Sequence, residues 1–248
     1  MVPRQGAGPA VPRQGAGPVV PRQTGRMQVA VVVLAGGRAR RWGGVDKTAV
    51  VLGAATVLEY AVRGLQDGVC AAVPDAGTSD LVTVVAGPAD HSARAARSLD
   101  GVRWVREEPP HGGPVAGLAA AVDVLPPGAG IVVVGAGDAP FAGAAVPRLL
   151  EALVGSRART DAAVGVDPGG RRQPLLAAYR MAALQGALSG LGEPAGTSLG
   201  ALLGRLRIVE VPVTDLEALD LDTPDGLGLA LGALEAGTAH VPAAGGCS

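Results

Sequence analysis

Residues 29–47 read "VAVVVLAGGRARRWGGVDK". The first six are aliphatic, mostly β-branched and continuous rather than alternating, which is the pattern of a strand buried on both faces. The run then empties into glycines, Arg38, Arg40, Arg41 and Lys47. A flexible glycine loop is costly to order, so its placement directly after a buried strand points to a ligand that rewards the ordering. Glycines allow close backbone approach, and amides from Leu34, Ala35, Gly36 and Gly37 with nearby positive charge make a cradle for an anion. Lys47 lies three residues past Gly44, so this is no Walker A loop, and the glycines do not follow G-x-G-x-x-G.

The same grammar recurs outward from this segment. Apolar β-branched runs predict strands at 28–35, 81–86, 102–106 and 131–135, with weaker ones near 161–166, 174–179 and 206–213. Helical patterns fall between them at 56–66, 90–98, 115–124, 145–153, 180–189, 197–205 and 224–234. Strands alternating with helices predict an α/β fold of three layers, a mostly parallel sheet with helices on both faces. Ligands of such sheets sit beyond the carboxyl ends of the strands. The residues that follow each apolar run are therefore the first to inspect.

Composition narrows the classes. The 248 residues are 48% hydrophobic but only 2% aromatic, so the core must be built from Val, Leu, Ala and Ile. The first 26 residues repeat "VPRQGAGP" and carry four arginines with no acid, leaving 17 basic against 22 acidic groups in the rest, a net charge of −5. A body so charged is not built to bind nucleic acid. Residues 1–26 are too rich in Gly and Pro to bury a core and are expected to be disordered. A second reading of this extension is that native translation starts at Met27, directly before the first strand. A single domain is expected over 27–235, with 236–248 a flexible tail. No apolar run approaches the roughly 18 residues of a membrane span. Two cysteines, Cys70 and Cys247, argue against a disulfide framework and for a reducing, cytoplasmic setting.

Two further strand ends carry chemistry. "WVREEPPHGGPVAGL" (104–118) places Glu107 and Glu108 before a glycine turn and a helix start at Gly113 and Pro114. "IVVVGAGDAPF" (131–141) places Asp138 just past a buried strand. An isolated aspartate there is usually a helix cap, but it is also the oxygen ligand that a hard cation such as Mg²⁺ takes. By contrast "GTSLG" (196–200) matches G-x-S-x-G but lacks the strand a nucleophile elbow needs, so Thr197 or Ser198 reads as a helix cap. His91, His111 and His240 are too scattered for a metal site or a proton relay.

The segment "LAGGRARRWGGVDK" closely resembles the signature of nucleotidyltransferases with a Rossmann-like sheet, and among them the molybdenum cofactor guanylyltransferases. The Leu-Ala-Gly-Gly opening, the Arg40-Arg41 pair and the Gly-Gly-x-Asp-Lys close all match. "GGPVAGL", "GDAP", "RRQPLLAAYR" and "LDLDTPDGL" resemble further family segments, in family order along most of the chain. The resemblance implies that Leu34, Ala35, Gly36, Gly37, Arg41 and Lys47 hold the triphosphate of GTP, with Gly113 and Pro114 close to the nucleotide. It implies that Glu107 or Glu108, standing for a family aspartate, grips guanine, since a carboxylate accepts from both N1 and N2 donors. It further implies Mg²⁺ on Asp138, Lys47 and Asp138 as the catalytic pair, and transfer of GMP to the phosphate of molybdopterin with release of pyrophosphate. Asp222 reads as a helix cap, leaving Asp220 for acceptor or second-metal contact. The alternatives are the same fold acting as a cytidylyltransferase or on a sugar phosphate, and a nucleotide-binding homologue without catalysis. Oligomeric state is left open.

Overall fold

A computed structural model describes residues 28–36, 47–74, 81–87, 99, 101–156 and 160–239. The N-terminal extension, Gly37, Arg38, Arg40, Arg41, the helix expected at 90–98 and most of the C-terminal tail lie outside them.

Every strand expected from the sequence joins one seven-stranded sheet. β1 (Gln28–Leu34) lies in its interior, flanked by β4 (Val82–Ala86) and β6 (Ala129–Ala136), both parallel to it. Its alternate residues explain the unbroken apolar run. Val29, Val31 and Val33 pack on one face with Leu58, Val62 and Leu65 of α1 (Val57–Ala72) and with α3 (Val146–Gly155). Ala30, Val32 and Leu34 pack on the other with Val115 and Leu118 of α2 (Pro114–Asp123) and Leu184 of α4 (Met181–Ser189). Full burial of each such side chain is worth about 1.5–3 kcal/mol relative to exposure, so the strand has a core on each side.

The sheet order is β5-β4-β1-β6-β8-β7-β9, where β5 is Arg103–Val105, β7 Ala162–Val166, β8 Arg172–Arg180 and β9 Ile208–Pro212. The chain runs outward from β1 to β5, then returns to place β6 on β1's other side. That reversal opens a crevice between the carboxyl ends of β1 and β6. One strand departs from the parallel pattern: β8 is antiparallel to both β6 and β7. The reason is local. Asp167 to Arg171 closes a tight turn, with Gly170 at φ 78°, and a connection this short can only join antiparallel neighbours. β8 therefore brings its amino end, not its carboxyl end, to the crevice.

α1 starts in a full capping box: Thr56 Oγ1 accepts from the Glu59 amide, and Glu59 Oε2 accepts from the Thr56 amide at 2.6 Å. The helix runs past the expected end at 66 to Ala72. A 3-10 turn, Ala142–Ala145, packs against it so closely that a Cβ on Gly143 would lie 2.1 Å from the Gly64 carbonyl. α5 is shorter than expected, Leu199–Leu203, and Ser198 caps it by accepting from the Ala201 amide. No strand precedes Ser198, so the nucleophile-elbow geometry is absent. A small hairpin, β2 (Val51–Leu52) with β3 (Ala55–Thr56), follows Lys47 and joins α6 (Pro224–Glu235) in a third apolar cluster around Leu52, Tyr60, Phe141 and Leu221.

The thiol expectation needs correction: Cys70, on α1, is disulfide-bonded, and Cys247 lies outside the described residues. Among the described residues no helix is long and apolar enough to cross a membrane.

Candidate active site

The strand ends are laced together before any ligand arrives. The Ala35 amide donates to the Ala86 carbonyl at 2.8 Å, the Gly137 amide to the Leu34 carbonyl at 2.9 Å, and the Gly87 amide to the Val105 carbonyl at 3.0 Å. Gly137 must be small, because a Cβ there would meet Ala35 Cβ at 3.0 Å and Leu58 Cδ1 at 3.1 Å. This contact sets Asp138 close to Ala35, at the end of β1. The Asp138 carbonyl in turn accepts from the Leu221 amide at 2.9 Å, drawing in the segment that carries Asp220 and Asp222.

These ties converge on an open cleft of about 460 Å³. Of the residues singled out in the sequence, Leu34, Gly36, Glu107, Gly113, Pro114 and Asp138 line it. Ala35 is buried behind it, and Glu108 is exposed and not among its lining residues. Glu107 is held by its own loop, its Oε1 accepting from the His111 amide at 3.0 Å, and His111 itself has φ 65°. Gly37 and Arg41 lie outside the described residues.

Lys47 is not among the cleft's lining residues, but its Nζ donates to two carboxylates that are, Asp138 Oδ2 at 2.8 Å and Asp222 Oδ1 at 2.5 Å. The side chains of Lys47 and Asp138 are about a fifth and a quarter exposed, 19% and 24%, so water screens this pair only in part. Burial opposes the lysine's charge, but the hydrogen bonds of Asp138 and then Asp222 outweigh it and its pKa is raised. Among the described residues Asp220 has no hydrogen-bonded cation of this kind. Burial, followed by the nearby charges of Asp138 and Asp222, pushes its pKa up to about 6.

Asp222 is not the cap of α6. Thr223 holds that position, accepting from the Gly226 amide through its side chain, which leaves the Asp222 carboxylate to Lys47. The sequence also passed over the support of this acidic segment. Glu217 lies at the cleft's edge, almost fully buried, and accepts from Arg148 Nη2 at 2.7 Å and from the Thr214 amide at 2.8 Å. Burial alone would raise its pKa, but the Arg148 hydrogen bond and then the Thr214 amide hold it low. The signal was present as Thr214-x-x-Glu217, the spacing of a capping box.

The far wall comes from β8. Its register with β7 jumps between Val164↔Ala177 and Gly165↔Gln173, so Pro174, Leu175 and Leu176 bulge out of the ladder with β7, while Leu176 stays paired with Gly135 of β6. Tyr179, fully buried, braces the bulge by donating its hydroxyl to the Pro174 carbonyl at 2.7 Å. Gln173 and Pro174 thereby line the cleft, and Tyr179 is a core residue that does not reach it.

Among the described residues no cluster of three or more His, Cys, Asp or Glu side chains is arranged to cage a metal. Two carboxylates that share one ammonium do suit a cation that completes its shell with water and substrate phosphates, which is how Mg²⁺ is commonly bound. The donor set fits such an ion and does not fit a structural metal.

Comparison with known proteins agrees with this architecture. No curated protein sequence matches the chain significantly. Among solved structures it is similar to molybdopterin-guanine dinucleotide biosynthesis protein A from Archaeoglobus fulgidus, with 25% identity, TM-score 0.57, and 84% of this chain and 99% of that one covered. The Rv0371C protein of Mycobacterium tuberculosis in complex with manganese shares the fold at 24% identity and TM-score 0.56, covering 83% and 98%. So does 2-C-methyl-D-erythritol 4-phosphate cytidylyltransferase from Thermus thermophilus, at 20% identity and TM-score 0.53, covering 84% and 100%. A family model described as the MobA-like NTP transferase domain matches residues 31–207, most of the sheet and the cleft it opens, and the chain belongs to that family.

Proposed function

We propose that the chain is a molybdenum cofactor guanylyltransferase, which transfers GMP from GTP to the phosphate of Mo-molybdopterin. The bond formed joins an acceptor phosphate oxygen to the α-phosphorus of GTP. The bond broken is that between the α-phosphorus and the bridging oxygen, which leaves with pyrophosphate. The observation that carries the reading is Lys47 and Asp138, 2.8 Å apart at the crevice between β1 and β6. One offers positive charge for a triphosphate and the other a ligand for its cation.

No side-chain nucleophile is needed, because both reactants bring their own phosphates. The protein's part is positioning and charge neutralisation. The Gly36 backbone and Lys47 would hold the β- and γ-phosphates and offset charge growing on the leaving pyrophosphate. Asp138, with Asp222 beside it, would hold Mg²⁺, which supplies further charge neutralisation at the phosphates when bound. Lys47 must then exchange its two carboxylate partners for phosphate oxygens. Glu107 is the candidate reader of guanine, and Gly113 and Pro114 bring the amino end of α2 to the nucleotide.

One observation favours a second reading, the same transfer with CTP. Glu107 Oε1 already accepts the His111 amide, which restrains the carboxylate and shares one of the two oxygens that guanine's two donors would use. The deciding experiment measures pyrophosphate release with GTP, CTP and ATP, each with and without molybdopterin. Release with GTP and molybdopterin together supports the proposal. Release with CTP alone removes the guanine assignment and keeps the nucleotidyl transfer, and no release with any nucleotide removes both.

A further inference from the structure

The two carboxylates that meet at Lys47 come from segments with unequal support. Asp138 follows β6 through Gly137, whose amide donates to the Leu34 carbonyl at 2.9 Å and which has no room for a side chain against Ala35. Asp222 ends an irregular stretch, residues 213–222, that is neither strand nor helix and joins β9 to α6. A shared cation needs its ligands held to within about 0.5 Å, which an unsupported stretch of this kind does not provide.

The support comes from one arginine. At its ends the stretch is pinned by main chain: the Val213 amide donates to the Val166 carbonyl and the Leu221 amide to the Asp138 carbonyl, both at 2.9 Å. Between them Thr214 and Glu217 fold it into a turn. The Glu217 amide donates to Thr214 Oγ1 at 3.2 Å, and the Thr214 amide to Glu217 Oε2 at 2.8 Å. Arg148 Nη2 donates to the same Glu217 Oε2 at 2.7 Å and, at a longer 3.4 Å, to the Pro212 carbonyl where the stretch begins. Arg148 stands in the first turns of α3, on the same piece of chain as Asp138. The Asp138 piece and the Asp222 piece are thus joined twice, by main chain at Asp138–Leu221 and by side chains at Arg148–Glu217. One join alone leaves a pivot, and the second removes it. Glu217 and Ala218 line the cleft, so the second join is made at the site itself. The Arg148 side chain is 45% exposed, so solvent screens the ion pair and it adds little to stability. What it supplies is direction, through a planar group that spans two acceptors.

We propose that Arg148, acting through Glu217, is a positioning residue that sets the spacing of Asp138 and Asp222 and with it the affinity of the site for a divalent cation. The inference rests on the nucleotidyl-transfer reading above, in which those two carboxylates hold the cation. Arg148 is neither a ligand nor a catalytic residue, and its guanidinium stays protonated throughout.

The test combines Arg148→Met with Glu217→Gln in the full chain. This double variant removes the ion pair without leaving a buried charge unpartnered, and it keeps an oxygen to accept the Thr214 amide. Its urea midpoint should match that of wild type. Mn²⁺ titration by calorimetry without nucleotide should show about 10-fold weaker binding, the scale on which groups that support metal ligands act. Arg148→Lys keeps the charge but not the planar fork, and its Mn²⁺ affinity should fall between the two. Pyrophosphate release with GTP and molybdopterin should be slower in the double variant, and raised Mg²⁺ should recover part of that loss. A folded double variant that binds Mn²⁺ as tightly as wild type overturns the inference and spares the function. So does a double variant whose urea midpoint collapses, since the pair then holds the fold and not the site, and so does a wild type that binds no Mn²⁺. A wild type that binds Mn²⁺ but releases no pyrophosphate with any nucleotide overturns the function, while the titration still decides the inference.

Discussion

Replacing Lys47 with methionine should make the nucleotide-free protein bind a divalent cation more tightly. The lysine ammonium lies where a cation shared by Asp138 and Asp222 would sit, 2.8 Å from one carboxylate and 2.5 Å from the other. A metal arriving without nucleotide must break both contacts. The partly buried pair with Asp138 is worth about 1.5 kcal/mol, at the lower end for a hydrogen bond between charged groups. The pair with Asp222, whose side chain is 48% exposed, is worth about 0.5 kcal/mol after solvent screening. Removing this competition of about 2 kcal/mol corresponds to a gain in affinity of roughly 30-fold. Methionine keeps the unbranched stem, so the packing around it changes little. Mn²⁺ titration followed by electron paramagnetic resonance or calorimetry, at fixed ionic strength and without nucleotide, reads the effect. If Lys47 holds the triphosphate as proposed, the order should reverse with GTP present. Equal or weaker Mn²⁺ binding by nucleotide-free Lys47→Met would refute the shared-site geometry.

Three other outcomes follow from the same contacts. Asp138→Ala should abolish pyrophosphate release while urea denaturation shows a cooperatively folded protein, because its main-chain tie to Leu221 survives the substitution; near-normal turnover contradicts its placement. Asp220 keeps a solvent-exposed edge, so its raised pKa is worth only about 1 kcal/mol after screening. The folded protein holds this proton more tightly than the unfolded chain, so the contribution is full below the ordinary pKa of 3.8 and disappears as pH rises through about 6. Asp220→Asn should accordingly flatten the fall in stability between those pH values, measured by urea midpoints at each pH, and an unchanged slope counts against it. Gly143→Ala forces a Cβ to within 2.1 Å of the Gly64 backbone and should cost at least about 3 kcal/mol, beyond ordinary overpacking; a urea midpoint near wild type would show that the turn and α1 can separate cheaply.

The parts of this site legible in the sequence are those announced by strand ends. Lys47 and Asp138 follow buried aliphatic runs through short glycine-bearing segments, so position along the chain already implies position in the sheet. Asp222 was misread because Asp-Thr-Pro satisfies helix-start grammar with either of its first two residues as the cap. The choice is made by tertiary contact with a lysine 175 positions earlier. Glu107 and Glu108 could not be separated, since neighbouring side chains diverge and only the His111 amide restrains one of them. The antiparallel sense of β8 was written in Asp167-Pro168-Gly169-Gly170, a hairpin-turn sequence, but continuous apolar strands masked it. The bulge at Pro174 has no local signature beyond the proline itself, because it depends on a hydroxyl five residues away.

The reversal of β8 also divides the cleft unequally between distant and adjacent residues. The wall on the β8 side is one contiguous stretch, residues 167–176, closed by its own turn and braced within its own strand. The facing wall is assembled from segments after β1, β5 and β6, each fixed by a separate crossover. A fold organised this way can vary this wall as a cassette of about ten residues without disturbing the segments that build the facing wall. Changes confined to residues 167–176 would then reshape one side of the cleft while the other stays in place.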